Sequence, residues 1–102
     1  MATATPKVLY RGAASTTLTT TLYTVPANTN TVVTDIVVAN TAASSGTFTL
    51  YLDGTIIANT ITVAANDSTI ISVKQVLATT KTIQGGASAT TINFSISGVE
   101  IA

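Results

Sequence analysis

Apolar and polar side chains alternate with a period of two along most of this chain. In Thr47 to Leu52, Phe48, Leu50 and Leu52 fall on one face and Thr47, Thr49 and Tyr51 on the other, the pattern of a strand with one buried face. Asp53-Gly54 follows directly, and Thr55 to Val63 resumes a β-prone run. A two-residue type I′ turn needs positive φ at both central positions, so this is the clearest hairpin signal in the sequence. Thr31 to Ala39 divides into Val32, Thr34, Ile36 and Val38 on one side and Val33, Asp35, Val37 and Ala39 on the other. Both sides are largely apolar, which predicts a central strand covered on both faces. In the last strand, Ala89 to Ile101, Ile92, Phe94 and Ile96 share a face while Val99 and Ile101 have the opposite parity. A β-bulge at Gly98 is predicted, returning both apolar sets to the core.

Turn residues delimit the other elements. Strands are expected at Lys7 to Arg11, Thr16 to Val25, Thr69 to Val73 and Lys81 to Gln84, separated by Gly12 to Ser15, the Pro26 to Asn30 loop, Asn40 to Gly46, Ala64 to Ser68 and Gly85-Gly86. Ser72 to Lys81 holds Val73, Val76 and Leu77 at helix-like spacing but supports at most a single turn. About eight short strands at sandwich-like spacing predict an all-β fold, a single antiparallel β-sandwich of jelly-roll type, with an open barrel second. Residues 1–7, with Pro6, read as an N-terminal arm that orders on a neighbour, and residues 8–102 as the sandwich domain.

Composition sharpens this picture. The chain has 102 residues, four Lys or Arg against four Asp or Glu, and only 8% charged residues, where an ordinary soluble domain has about 25%. Threonine makes up roughly a fifth to a quarter of the sequence, far above average usage. The four cations, Lys7, Arg11, Lys74 and Lys81, are scattered, so no basic footprint for nucleic acid is expected. With no Cys there is no disulfide framework and no thiolate metal site. Met1 to Gly12 lacks an apolar signal core, and the longest uninterrupted apolar run, Ile36 to Ala39, is far short of a membrane span.

Catalytic chemistry finds few supports. The carboxylates are Asp35, Asp53, Asp67 and Glu100, and a glycosidase needs two of them across a cleft. Asp53 and Asp67 stand in turn contexts; Asp35 lies mid-strand, where a carboxylate needs a partner or a wet face. Without His, a serine nucleophile needs a Lys base. Ser72 and Lys74 share a strand face but lack a nucleophile-elbow pattern. Asn66, Asp67 and Asp53 offer oxygen donors for calcium without the dense spacing of a dedicated loop, and Gly85-Gly86 lacks the Lys-Ser/Thr and helix of a phosphate cradle. No catalytic, cofactor or metal site is expected.

The surface is more informative. Thr55 to Val63 and Thr69 to Val73 combine high β propensity with few charges, and as bare edges they invite aggregation. An obligate oligomer that covers them resolves the conflict, since interface cores are depleted in charge.

Leu22-Tyr23-Thr24-Val25-Pro26-Ala27-Asn28-Thr29 and Val32-Val33-Thr34-Asp35-Ile36-Val37-Val38-Ala39-Asn40-Thr41, with Phe48-Thr49-Leu50-Tyr51-Leu52-Asp53-Gly54 and the closing Ile96-Ser97-Gly98-Val99-Glu100-Ile101, resemble small β-sandwich virion proteins of tailed bacteriophages. The resemblance implies a non-enzymatic structural protein of the virion, made in the host cytoplasm. It implies a capsid decoration or cement protein that binds the major capsid protein or other virion subunits as a homo-oligomer, a trimer being favoured. The alternative it implies is a tail, fibre or baseplate module that binds a receptor or glycan. Tyr10, Tyr23 and Tyr51 are the only tyrosines that such a module offers for stacking on sugar rings, and Tyr51 alone reads as outward.

Overall fold

The structure, a computed structural model, describes residues 3–102. Eight strands form two four-stranded antiparallel sheets: β1 (Ala4–Ala13), β2 (Thr21–Thr24), β3 (Asn30–Asn40), β4 (Gly46–Leu52), β5 (Thr55–Val63), β6 (Ser68–Leu77), β7 (Thr82–Ala87) and β8 (Ile92–Ile101). The first sheet has the order β1-β8-β3-β6 and the second β2-β7-β4-β5. Four of the pairings, β1 with β8, β2 with β7, β3 with β6 and β4 with β5, are those of one long hairpin folded over itself, the jelly-roll arrangement. Its tip is the Asp53-Gly54 turn, where φ is 52° and 72°, as a type I′ turn requires.

The inward positions form one core. Phe94 of β8 and Phe48 of β4 meet edge to face at 6.1 Å and 74°. Ile36, Leu50, Ile83, Ile92 and Ile96 are fully buried around them. At one end of the sandwich, buried Asn40 donates from Nδ2 to the carbonyls of Ser44 (2.9 Å) and Val63 (3.2 Å) and accepts from the Ala42 N–H (3.0 Å), which fixes the β3–β4 loop.

Several expectations change. The sandwich begins at Ala4 and not at residue 8: Pro6 and Lys7 pair with Val99 and Gly98, so residues 4–7 belong to β1, while Met1 and Ala2 lie outside the described residues. Thr16 to Thr20 is a bend, because local hydroxyls compete for the backbone. Ser15 Oγ accepts the Thr17 N–H (3.1 Å), and Thr20 Oγ1 donates to the Thr17 carbonyl (2.8 Å). The bend still lies along β7, whose Gly85 and Ala87 N–H groups donate to the Thr20 and Ser15 carbonyls, both at 2.9 Å. β7 itself runs through Gly85-Gly86, and β6 extends to Leu77 with no helical turn.

The phase slip near Gly98 takes a different form from the one predicted. β8 keeps its parity, with Gly98 buried and Val99 and Ile101 left half-buried on the outer face. The extra residues are Leu9 in β1, opposite Ile96-Ser97, and Thr34 in β3, opposite Ser97-Gly98. Thr34 also changes the reading of β3: Thr31 and Val33 point inward before it, Ile36 and Val38 after it, and Val32 and Val37 face outward half-buried. β3 is therefore central within its sheet but covered on one face.

Candidate functional site

β6 is one edge strand of the first sheet and β5 one edge strand of the second; β1 and β2 form the other two edges. β5 and β6 lie on the same flank, because β1 and β2 touch along the opposite one and a groove lined by Leu52, Asp53, Thr55, Ile57, Gln75, Val76 and Leu77 joins the start of β5 to the end of β6. Among the described residues, seven large apolar side chains are exposed, and five of them, Ile56, Ile57, Ile61, Ile70 and Val76, belong to these two strands. Ile70 is 69% and Val76 67% exposed. β5 has no charged residue and β6 has only Lys74. Isolated exposed apolar residues are ordinary, whereas these five cluster on one nearly uncharged flank.

The strands explain the clustering. β-Branched Ile, Val and Thr suit a pleated backbone, but an edge strand has a partner on one side only, so its side chains are half covered at best. Each edge is also bent. Thr60 in β5 and Lys74 in β6 adopt positive φ (both 51°) where the register with β4 and β3 shifts. Such bulges shorten the straight ladder that another strand needs for pairing. The flank thus offers side chains more readily than backbone.

The carboxylates considered for chemistry are dispersed. Asp53 sits in the β4–β5 turn, 3.6 Å from Lys81 Nζ, and Asp67 in the β5–β6 turn, accepting from the Ser68 N–H at 2.8 Å. These turns lie at opposite ends of β5, so the two carboxylates share no calcium cage. A second groove, lined by Ala39, Asn40, Thr41, Asn66, Asp67 and Ser68, contains one carboxylate where glycoside hydrolysis needs two. Asp35 is exposed on the outer face and accepts from Ser72 Oγ (3.3 Å). Among the described residues no three His, Cys, Asp or Glu side chains gather as metal ligands. Tyr10 donates to the Ala13 carbonyl at 2.8 Å. Tyr51 stands on the outer face of the second sheet, in register with Gln84 and Ile56.

One cluster goes beyond the sequence reading. Tyr23 of β2 crosses between the sheets and donates to Glu100, while its hydroxyl lies 2.9 Å from Thr31 Oγ1. Lys7 Nζ reaches the same carboxylate at 3.3 Å. The hydrogen bond from Tyr23, aided by Lys7, holds the Glu100 carboxyl below its usual range. Burial, then the bond to Glu100, pushes the Tyr23 phenol up to about 12. The only sequence signal was parity: Glu100 shares a face with Ile96 and Gly98.

Both shifts predict a pH dependence of stability. Glu100, with its folded pKa lowered, contributes above its unfolded pKa and loses that contribution as the pH falls through the lowered value. Tyr23, with its folded pKa raised, contributes fully below about pH 10 and loses this between there and about 12. Urea melts across pH should therefore decline at both extremes, and Tyr23→Phe should remove the alkaline decline. An unchanged alkaline limb in that variant would contradict the assignment.

No family model and no curated protein matches the chain.

Proposed function

We propose that the chain is a non-enzymatic structural protein of a bacteriophage virion. It binds the outer capsid surface as an oligomer, a trimer in the favoured form, and cements neighbouring capsid subunits. The observation that carries this reading is the β5–β6 flank, nearly uncharged and apolar, which the described residues leave exposed. Uncharged surfaces avoid the cost of stripping water from ions on association. The jelly roll is compatible with the reading without deciding it, since the same architecture serves capsid, lectin and enzyme domains. The expected mechanism is burial of apolar and threonine-rich surface.

A second reading, a tail, fibre or baseplate module for a receptor or glycan, draws on one feature. Tyr51 faces outward beside the Gln84 amide and Thr21 hydroxyl, an aromatic platform flanked by hydrogen-bonding groups. Electron cryomicroscopy of intact particles separates the two. Density for this chain across the shell, at a stoichiometry near that of the major capsid protein, is the expected result. A few copies confined to the tail end would sink the decoration reading and favour the second.

A further inference from the structure

The outer face of the first sheet has both relief and pattern. Register carries one apolar row across all four strands: Pro6 of β1, Val99 of β8, Val32 of β3 and Val76 of β6. A second row runs from Arg11 of β1 through Ser95 of β8 and Val37 of β3 to Ile70 of β6. Val32, Val37 and Val99 are half-buried, whereas Ile70 and Val76, on the β6 side, are the most exposed large apolar residues among those described. Towards β1 the same face sinks into a groove bounded by Pro6, Val8, Ser97, Val99 and Thr34.

We infer that two copies of the chain pack this face against itself about a two-fold axis that runs along the strands, between β8 and β3. Such an axis carries β6 over β1 of the second copy and β3 over its β8. Val76 then enters the groove beside Pro6 of the second copy and Val32 meets Val99, and the exchange is reciprocal, as an isologous contact requires. Strands related in this way keep the aligned form of sheet packing, within about 30° of one another.

Shape, charge and cover all select a second copy. The protruding Val76 and the groove lie in one row on opposite sides of the proposed axis, so a single face supplies both knob and hole at matching positions. Arg11 and Asp35 also lie on this face, and neither has an ion partner among the described residues. Within one chain they stand two strands apart, roughly 10 Å at ~4.8 Å per strand. Across the axis, Arg11 comes over Ile70 of the second copy, one strand from that copy's Asp35. Arg11 Nε already donates to Ser95 Oγ (3.2 Å), which turns the guanidinium towards β8 and so towards the β3 strand that carries the opposing Asp35. Finally, Val32 and Val37 make β3 apolar on its outer side as well as its inner one, the pattern of a strand buried on both faces, and the described residues cover only the inner one.

The area suffices. Strands of ten and eleven residues run about 33 Å at ~3.3 Å per residue, and four of them side by side span about 19 Å. A two-fold contact uses this face once per copy, so it buries about 600 Å² on each and about 1,200 Å² in all, the lower bound for a specific stable interface. The inference does not rest on the capsid reading, since β5 belongs to the other sheet and stays outside the contact. In the trimeric form of that reading, the contact joins trimers in pairs.

The test is light scattering coupled to size exclusion on the full chain at micromolar concentration. Wild type should run at an even number of copies, two, or six where trimers are paired. Val76→Asp should halve that mass, and Leu18→Asp, exposed in the Thr16 to Thr20 bend on the second sheet, should leave it unchanged. Exchanging charges gives the sharper readout. Asp35→Arg sets two arginines against each other across the axis and Arg11→Asp sets two aspartates, so each variant alone should dissociate at about tenfold lower dilution or sooner. Both substitutions in one chain should restore the wild-type mass, and the two single variants mixed should regain it in a one-to-one ratio. These positions are all exposed, so far-ultraviolet circular dichroism should stay that of the wild type. If a charge-exchanged chain loses that spectrum, Asp35→Asn and Arg11→Gln replace it; each should loosen the pair, and the double variant should be no looser than either.

A wild type of one or three copies, a Val76→Asp mass equal to wild type, or charge variants that do not rescue each other would each overturn the inference. Three copies would leave the capsid reading standing. Paired copies that depend on Val76 and bind no capsid would overturn the capsid reading alone.

Discussion

Phe94→Ala should destabilise the sandwich by about 3–5 kcal/mol, a large share of the ~5–15 kcal/mol that holds a domain of this size. Phe94 is central in β8, itself an inner strand of the first sheet, and its ring is buried against Phe48 from the inner strand β4 of the second. Alanine removes the transfer free energy of the ring and leaves a cavity that two paired sheets cannot close, because their separation is set by the surrounding Ile36, Leu50 and Ile96. The edge-to-face geometry adds a separable quantity. In a double-mutant cycle with Phe48→Ala, the coupling should be about 0.5–1.5 kcal/mol beyond simple burial. Phe94→Leu, which keeps most of the volume, should cost far less than alanine. Urea unfolding with a constant m-value gives all three numbers. A Phe94→Ala loss below about 1 kcal/mol would mean that the ring does not join the sheets as described.

Much of this fold was legible because β structure writes period two into the sequence and turns write their own chemistry. Thr47 to Leu52 and the Asp53-Gly54 turn needed nothing beyond local rules, and the turn has the positive φ pair expected of it. Where the reading failed, distant residues decided. Thr34 reverses the parity of β3 because Ser97-Gly98 of β8 lies opposite it, a pairing between residues far apart in sequence. A parity count on β3 alone therefore mixed the two faces: Thr31, Val33, Ile36 and Val38 point inward, and Val32 and Val37 face outward half-buried. Thr16 to Thr20 carries strand-forming residues, yet Ser15 and Thr20 spend their hydroxyls on the local backbone and turn the chain.

The candidate site was legible in outline only. Thr55 to Val63 and Thr69 to Val73 stood out as β-prone and poorly charged, and both lie in edge strands. That the edges are stacked on one flank follows from the folded-hairpin topology, which brings the two strands flanking the Ala64 to Asp67 turn to the same side of different sheets. The edges are also less bare than the sequence implied, since Thr60 and Lys74 already bend them. Unpaired backbone was the expected hazard; exposed Ile and Val side chains are the feature found. The cluster around Tyr23 and Glu100 is beyond any local rule, because its residues come from four strands that meet only in the finished sandwich.

A single added methyl group at Gly98 is expected to have a large effect. Its φ is not in the left-handed region, so its requirement is space and not conformation. A Cβ built there would press on the Val32 carbonyl oxygen and lie 2.8 Å from Leu9 Cδ1. The Leu9 side chain is able to rotate away at modest cost, whereas the Val32 carbonyl belongs to the β3 backbone and moves only with the ladder. Gly98 also sits where Leu9 and Thr34 are the extra residues of the two neighbouring strands, so a shift of β8 disturbs both ladders at once. Gly98→Ala should therefore cost about 2–3 kcal/mol, at the upper end of overpacking, and Gly98→Val should leave little folded protein at 37 °C. Pairing Gly98→Ala with Leu9→Ala discriminates the two causes. The double variant should recover only the part owed to the leucine and should remain less stable than Leu9→Ala alone in urea. If Leu9→Ala abolished the whole penalty, the backbone contact with Val32 would not be what excludes a side chain at this position.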